Sequence, residues 1–420
     1  MRPCSRLGLF LPALLSLTAT LSAQDPALTR RTPVAAALDA IRTNNEWTLA
    51  QQESLCEVAA PPFGEDARAA ELRRRFEMLG FRNVRIDPEG NVIAERPGAR
   101  SGPRVILSAH LDTVFPDTTD VSVRRDGSRL RGPGIGDDCR GLAVILSVAR
   151  ALRDASVRTS GTIIFVGTVG EEGSGNLRGV RHLVDRQSAG RIDYFVSVDG
   201  VGLSAVGRAV GSHRYRVTVR GPGGHSYGDF GMPNPVHALG RAIAGISAIQ
   251  VPSSPKTTFN VGMIEGGTSV NSIAMAAAME IDLRSENQTA LDSLDARARR
   301  AVAQGIESEH QRWPGGAGRL TVEWREIGKR PAAGQPDTSA VLRTTLAAAR
   351  ALGFVPAITA SSTDANYPMS LGIPSVTIDA GGTGGGTHSL GEWYDDGMDG
   401  WKGPQWALLL VLSLAGVAGT

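Results

Sequence analysis

The run Arg104-Val105-Ile106-Leu107-Ser108-Ala109 most constrains the fold of this chain. It is apolar almost without interruption. Such a strand is buried on both faces and belongs to a parallel sheet covered by helices. Gly161-Thr162-Ile163-Ile164-Phe165-Val166 and Tyr194-Phe195-Val196-Ser197-Val198 share that texture, and Asn91-Val92-Ile93-Ala94 reads as a further strand. Between them Gly141 to Leu152 reads as a helix. The stretch from Pro33 to Leu79 reads as helical, with Glu71, Leu72, Phe76 and Leu79 giving the mixed face of a surface helix. The alternation predicts an α/β fold with a helix-covered, mainly parallel sheet.

The texture changes after Ser212. His213-Arg214-Tyr215-Arg216-Val217-Thr218-Val219 alternates polar and apolar residues, as a half-exposed strand does. A helix (Pro235 to Ile249), two strands (Thr257 to Ile264 and Ala274 to Leu283), a helix (Ala290 to His310) and a strand (Leu320 to Glu326) follow. That order, β-α-β-β-α-β, is ferredoxin-like. The parallel-sheet texture then returns with helix Ala340 to Leu352 and strand Ser375 to Ile378. The expectation is therefore a discontinuous domain, 34–208 and 329–420, carrying an inserted domain, 209–328. Ala407 to Ala418 reads as a buried terminal helix, too short for a membrane span.

Composition bounds the function. With 41% hydrophobic and 20% charged residues in 420, a sizeable core forms and wholesale disorder is excluded. A formal charge of +2 argues against nucleic acid held by bulk electrostatics. Arg2 and Arg6, the apolar run Leu7 to Leu21 and Ser22-Ala23-Gln24 form a secretory signal pattern, so residues 1–23 are expected to be removed. The expected location is secreted or periplasmic, without a stable membrane anchor. Cys4 lies ahead of the apolar run. Cys56 and Cys139 remain, too few for a disulfide framework, and no Cys-x-x-Cys occurs.

Absences narrow the chemistry. The sequence holds no G-x-G-x-x-G fingerprint, no P-loop, no G-x-S-x-G elbow and no H-E-x-x-H helix. What remains is a series of His and carboxylate clusters at strand ends or in adjacent loops. His110 and Asp112 follow the first strong strand, and at i and i+2 they point to one side. Asp137-Asp138 ends a glycine-rich loop, Gly132-Pro133-Gly134-Ile135-Gly136, that lets carboxylates approach an ion. The same pair also reads as an acidic helix N-cap. Glu171-Glu172 follows a buried strand, where adjacent acids repel unless a cation sits between them or one is protonated. Asp199 ends another strand, and His388 lies in Gly384-Gly385-Gly386-Thr387-His388-Ser389. Ligands bind at the carboxyl ends of parallel strands. Two His and three acids suit two zinc ions sharing one carboxylate.

The ordered segments Ser108-Ala109-His110-Leu111-Asp112-Thr113-Val114, Gly132 to Gly141, Gly170-Glu171-Glu172-Gly173, Val198-Asp199-Gly200 and Thr387-His388-Ser389 are recognisable. With them the chain resembles the di-zinc amidohydrolase and exopeptidase family of peptidase T, glutamate carboxypeptidase and aminoacylase, from about residue 35 onward. The resemblance implies that His110, Asp137 and Asp199 hold one zinc. Asp137, Glu172 and His388 would hold the other, with Co2+ or Mn2+ as substitutes. Asp112 would orient His110, and Glu171 would activate the bridging water and protonate the leaving amine. It implies a cis peptide bond between Asp137 and Asp138. Cys139 stands where the family often has Lys, which removes a charge and puts a thiol near the metals, a reactive or adventitious ligand.

Substrate-side expectations follow from the same resemblance. His225, in Gly223-Gly224-His225-Ser226, would stabilise an oxyanion, reaching across a homodimer formed through the inserted domain. Asn271 and Arg284 match segments that hold the substrate's carboxylate or backbone. Asp364 and Asn366 fit a family loop. His182, His213, His237 and His310 match nothing and read as surface or helix residues. The expected activity is hydrolysis of short peptides by a zinc exopeptidase closest to peptidase T. The alternatives are an N-acyl amino acid deacylase or carboxypeptidase on the same scaffold, or a catalytically silent zinc-binding protein. An aminopeptidase needs an acid for the free amine, and the sequence alone does not supply one.

Overall fold

A computed structural model describes residues 28–419; the expected signal segment 1–23 and Cys4 lie outside them. The main sheet has nine strands. Their order is Arg85–Ile86, Val92–Arg96, Thr162–Thr168, Arg104–His110, Tyr194–Val198, Ser375–Ile378, Ala205–Ala209 and Ala333–Gly334, with Ile358–Ser361 also pairing Ala205–Ala209. The four central strands, from Thr162–Thr168 to Ser375–Ile378, run parallel, and antiparallel strands flank them on both sides. Arg104–His110 is buried along nearly its whole length, as its unbroken apolar run demands.

The helical stretch Pro33 to Leu79 consists of three helices: Thr32–Thr43, Asn45–Cys56 and Asp66–Met78. Asn44 interrupts the first pair, and the Pro61-Pro62 segment cannot continue the second. The apolar helices Cys139–Asp154 and Lys402–Ala415 pack with the central strands into the largest core, around Val105, Leu107, Leu146, Trp406 and Leu410. Among the described residues no helix is long and apolar enough to cross a membrane.

A second, antiparallel sheet has the order Thr257–Gly266, Ala276–Ser285, Gly211–Arg220 and Thr321–Arg330. Helices Pro235–Ser247 and Gln288–Arg312 cover one face, and the chain order is the ferredoxin-like one. Val217, Val219, Met279, Ile281, Leu239 and Leu294 form its own core. The chain passes from one sheet to the other between Ala209 and Gly211 and returns between Arg330 and Ala333. Asn366 fastens both crossings: its amide donates to the carbonyls of Val210 (2.8 Å) and Pro331 (3.0 Å).

Two expectations are corrected here. His213 is not a surface residue. It shares the inward parity of Tyr215 and Val217, is buried, and its Nδ1 lies 3.0 Å from Asp295 Oδ2. Cys139 is not a free thiol near the metals either. It forms a disulfide with Cys56, Cα atoms 5.4 Å apart, in a fully buried pocket with Leu49, Leu130, Ile135 and Tyr394. The bridge joins the end of one helix to the start of another, so no local spacing betrays it.

Candidate metal centre

The carboxyl ends of the parallel strands meet at one cleft of about 680 Å3. His110 ends the strand Arg104–His110, the Glu171-Glu172 pair follows Thr162–Thr168, and Asp199 follows Tyr194–Val198. The cleft also receives Asp137 and His388 from two loops tied together by a small sheet absent from the sequence reading: Thr383–Gly385, Trp393–Asp395, Arg129–Arg131 and Arg124–Asp126.

Asp137 stands at the centre. Its Oδ1 lies 2.9 Å from His110 Nε2, and its Oδ2 lies 3.2 Å from His388 Nε2. His388 Nε2 also lies 2.9 Å from Glu172 Oε1, and Asp199 Oδ1 lies 3.9 Å from His110 Nε2. Two donor groups result, His110–Asp137–Asp199 and Asp137–Glu172–His388, each with its donor atoms within 4.8 Å of one another and both sharing Asp137. A third grouping, His110–Glu171–Glu172, is compact enough, but Glu171 is already engaged by a cation.

The electrostatics ask for a cation. Burial and the neighbouring Asp137 push the Asp199 carboxyl up to about 8. Burial opposes charge on His110, yet the carboxylates of Asp112 and Asp137 outweigh it and hold the ring well above its ordinary value. Hydrogen bonds to Asp137 and then Glu172 raise His388 to about 10. Burial would raise Asp137, but the two His rings hold it below the usual carboxylate range. These protons occupy the positions from which divalent ions displace them. Imidazole and carboxylate donors suit zinc, cobalt or manganese.

The Asp137-Asp138 pair divides the two readings open in the sequence. Asp137 faces the cluster. Asp138 caps helix Cys139–Asp154, accepting from Gly141 N (3.0 Å), and its other oxygen accepts from His110 N (3.0 Å). A Cβ on Gly141 would sit 2.2 Å from that capping oxygen. The peptide bond between the two acids is cis. Asp112 acts on His110 chiefly through its main chain: its carbonyl lies 2.9 Å from His110 Nδ1, its carboxylate 3.6 Å. That carboxylate accepts the N–H groups of Glu171 (3.0 Å) and Glu172 (2.8 Å).

Three residues complete the centre without having been read from the sequence. Glu392 is buried and accepts from Gly134 N (2.9 Å), Gly136 N (2.8 Å) and Asp137 N (3.0 Å), so it braces the Asp137 loop from beside His388. The unpaired N–H groups of the glycine-rich loop were the available signal, since buried donors need acceptors. Arg330 ends the last strand of the second sheet; its Nη1 donates to Glu171 Oε1 (2.8 Å) and Ser362 Oγ (3.1 Å), and its Nη2 to the Glu171 carbonyl. Burial and the adjacent Glu172 raise Glu171 well above the ordinary carboxyl value, while Arg330 and His110 pull it down. Asp379 also lines the cleft.

Arg284 lines the cleft, with Nε 2.7 Å from Asp282 Oδ2, and Arg214 stands beside it, Nε 3.4 Å from Asp282 Oδ1. Asp364 and Asn366 are buried nearby: Asp364 accepts from Thr168 Oγ1, and Asn366 fastens the sheet crossings. His225 and Asn271 do not join the group. His225 is exposed, its Nδ1 accepting from Tyr227 N and Gly228 N, and Asn271 accepts from Ser269 Oγ and Ser226 N. Neither lines the cleft.

Fold and donor set together define a metal-binding hydrolase. The profile of Peptidase family M20/M25/M40 matches residues 106–401, and the chain belongs to that family, as a hydrolase of peptide or amide bonds. It is 26% identical over 349 residues to succinyl-diaminopimelate desuccinylase of Burkholderia ambifaria, covering 77% of this chain and 88% of that one. An uncharacterised Bacillus subtilis protein, YqjE, is 27% identical over 225 residues, 48% of this chain and just over half (56%) of its own length. The crystal structure of the aminopeptidase PepT from Bacillus cereus superposes with a TM-score of 0.72 at 22% identity, covering 89% of this chain and 99% of that one.

Proposed function

We propose that the chain is a zinc-dependent exopeptidase of short peptides, similar in activity to peptidase T. The observation that carries this reading is the pair of donor groups sharing Asp137 at the mouth of a cleft that also holds Glu171. His110, Asp137 and Asp199 would hold one ion and Asp137, Glu172 and His388 the other. When bound, the ions supply Lewis acidity towards the scissile carbonyl and the attacking water.

The chain's own residues do the rest. Glu171 takes a proton from the attacking water and returns it to the leaving amine nitrogen. Arg330 fixes the carboxylate that does so, and Asp112 fixes the main chain of both glutamates. Arg284 offers its guanidinium to a substrate carboxylate, with Arg214 beside it. His225 and Asn271 would complete the site only from a partner subunit. The exposed Tyr227, Phe230 and Val270 around them support a homodimer formed through the second sheet, in the expected inserted segment 209–328. The buried Cys56–Cys139 bridge supports a secreted or periplasmic location, because such bonds persist in oxidising compartments.

A second reading, an N-acyl amino acid deacylase or carboxypeptidase, is favoured by the arginines in the cleft and the desuccinylase relative. Mass spectrometry of products from an unblocked tripeptide and its N-acetylated twin separates the two. Loss of the N-terminal residue from the unblocked peptide alone is expected. Release of acetate or of the C-terminal residue would replace the exopeptidase reading by the second. Turnover of neither, with two metals bound per chain, would leave a silent metal-binding protein.

A further inference from the structure

A peptidase that removes N-terminal residues must recognise an ammonium group, and the cleft offers one acid that metal binding and catalysis leave unused. Asp379 follows directly on the parallel strand Ser375–Ile378, at the same level as Asp199, whose N–H donates to the Ile378 carbonyl (3.1 Å). Its carboxylate lies against the turn that leaves the neighbouring strand. Oδ2 accepts from Ser204 N (2.7 Å), and a Cβ on Gly202 would approach that oxygen to 2.8 Å. Gly202, at φ +118°, thus lets the turn pack directly against the carboxylate. Asp379 shares the cleft with Asp137, Glu171, Asp199 and His388.

What singles it out is its lack of a counter-ion. The other half-buried or buried acids of the cleft face a His ring or a guanidinium: Asp137, Asp199, Glu172 and Glu171 all do. Among the described residues no Arg, Lys or His lies within ion-pair distance of Asp379, and its hydrogen-bonding partner is the neutral Ser204. Burial without a cation pushes its carboxyl up to about 7, against the Ser204 hydrogen bonds. A carboxylate in that state gains most from a cation brought in by a ligand. The cleft is also bipolar: Asp379 belongs to the main sheet's wall, while Arg214 and Arg284 reach in from the second sheet. A short peptide is a zwitterion with the same two charges.

We propose that Asp379 receives the free α-ammonium of the substrate and thereby selects unblocked peptides over N-acylated ones. This assignment rests on the exopeptidase reading and deepens it. Selection works as in other sites built around a polar group: a substrate without the amine leaves the carboxylate buried and unpaired.

The test uses trialanine and propionyl-dialanine, which share the scissile bond and differ by the amine alone, with zinc-loaded full-length protein. The wild type judges the exopeptidase reading: it should cleave trialanine far better than its twin. Equal rates, or cleavage of propionyl-dialanine alone, would overturn both that reading and this assignment. Asp379→Asn judges the assignment by itself. The amide oxygen can still accept from Ser204 N, so the turn is kept. The variant should lose trialanine kcat/KM on the order of 30-fold, the loss expected for one hydrogen bond to a charged group. Its kcat/KM for propionyl-dialanine, or Ki where turnover is too slow, should hold or improve, because the neutral amide removes the carboxylate that this compound leaves buried and unpaired. Unchanged trialanine kinetics, or an equal fall for both compounds, would overturn the role of Asp379 while leaving the exopeptidase reading intact. Should the Asn variant melt early, Asp379→Ser gives the same comparison, read by the same ratio.

Discussion

Removing the Cys56–Cys139 bridge should destabilise the protein through its unfolded state. The cysteines are 83 residues apart in sequence. Closing a loop of that length removes about 15 cal/mol/K of chain entropy, or about 4.5 kcal/mol at 25 °C. The perturbation is the Cys56→Ala/Cys139→Ala pair; Ala suits a pocket lined by Leu49, Leu130, Ile135 and Tyr394, where a serine hydroxyl would lack a partner. For a chain of this size the melting entropy is about 0.8 kcal/mol/K, so the expected drop in Tm is about 5 °C. The assay is differential scanning calorimetry of metal-free protein, so that bound ions add nothing to stability. Each single Cys→Ala variant should melt with the double variant, since either one opens the loop. Wild type in strong reductant should join them. Wild-type melting insensitive to reductant, with both Cys56 and Cys139 alkylated in the unreduced denatured chain, would refute the reasoning.

Further outcomes follow from the site. Glu171→Gln should keep both metals and lose kcat by several orders of magnitude; metal analysis alongside steady-state kinetics checks it, and a near-wild-type kcat removes Glu171 as base. Arg330→Gln should reduce kcat on the order of tenfold or more with KM little changed, Arg330→Lys should recover part of it, and equal kinetics in both would show that Glu171 needs no cation to hold it. Metal-free protein should lose stability as pH rises. Asp199 carries a folded value raised to about 8, so its contribution is complete below the unfolded carboxyl value and is lost as pH rises through 8. His388, raised to about 10, acts in the same direction: its contribution is complete below the ordinary His value and is lost through pH 10. Zinc-loaded protein should not follow this trend, since the ions take the place of those protons; melting curves from pH 5 to 9 with and without metal decide it.

The main sheet was legible because its central strands are apolar on both faces, and Arg104–His110 and Tyr194–Val198 stand where their sequences put them. The second sheet was legible from alternation, and the same alternation at Tyr215 and Val217 should have marked His213 as inward. Strand ends located His110, Glu171, Glu172 and Asp199, whereas Asp137 and His388 lie in glycine-rich loops and were grouped with them through the family resemblance. The groups that hold them were not legible, because their partners come from distant segments. Glu392 braces a loop more than two hundred residues earlier in the chain, Arg330 reaches Glu171 from the other sheet, and Cys56 finds Cys139 across two helices. Asp379 escaped for a different reason: what distinguishes it is a missing cation, which only a three-dimensional neighbourhood reveals.

The donor groups around Asp137 draw on segments from His110 near the first quarter of the chain to His388 near its end. The last segment of the chain holds more than His388. Glu392 braces the Asp137 loop, and helix Lys402–Ala415 fills the core beneath the central strands. A chain ended before residue 388 would lack that brace and that helix as well as His388, so neither donor group would be held as it is in the complete fold.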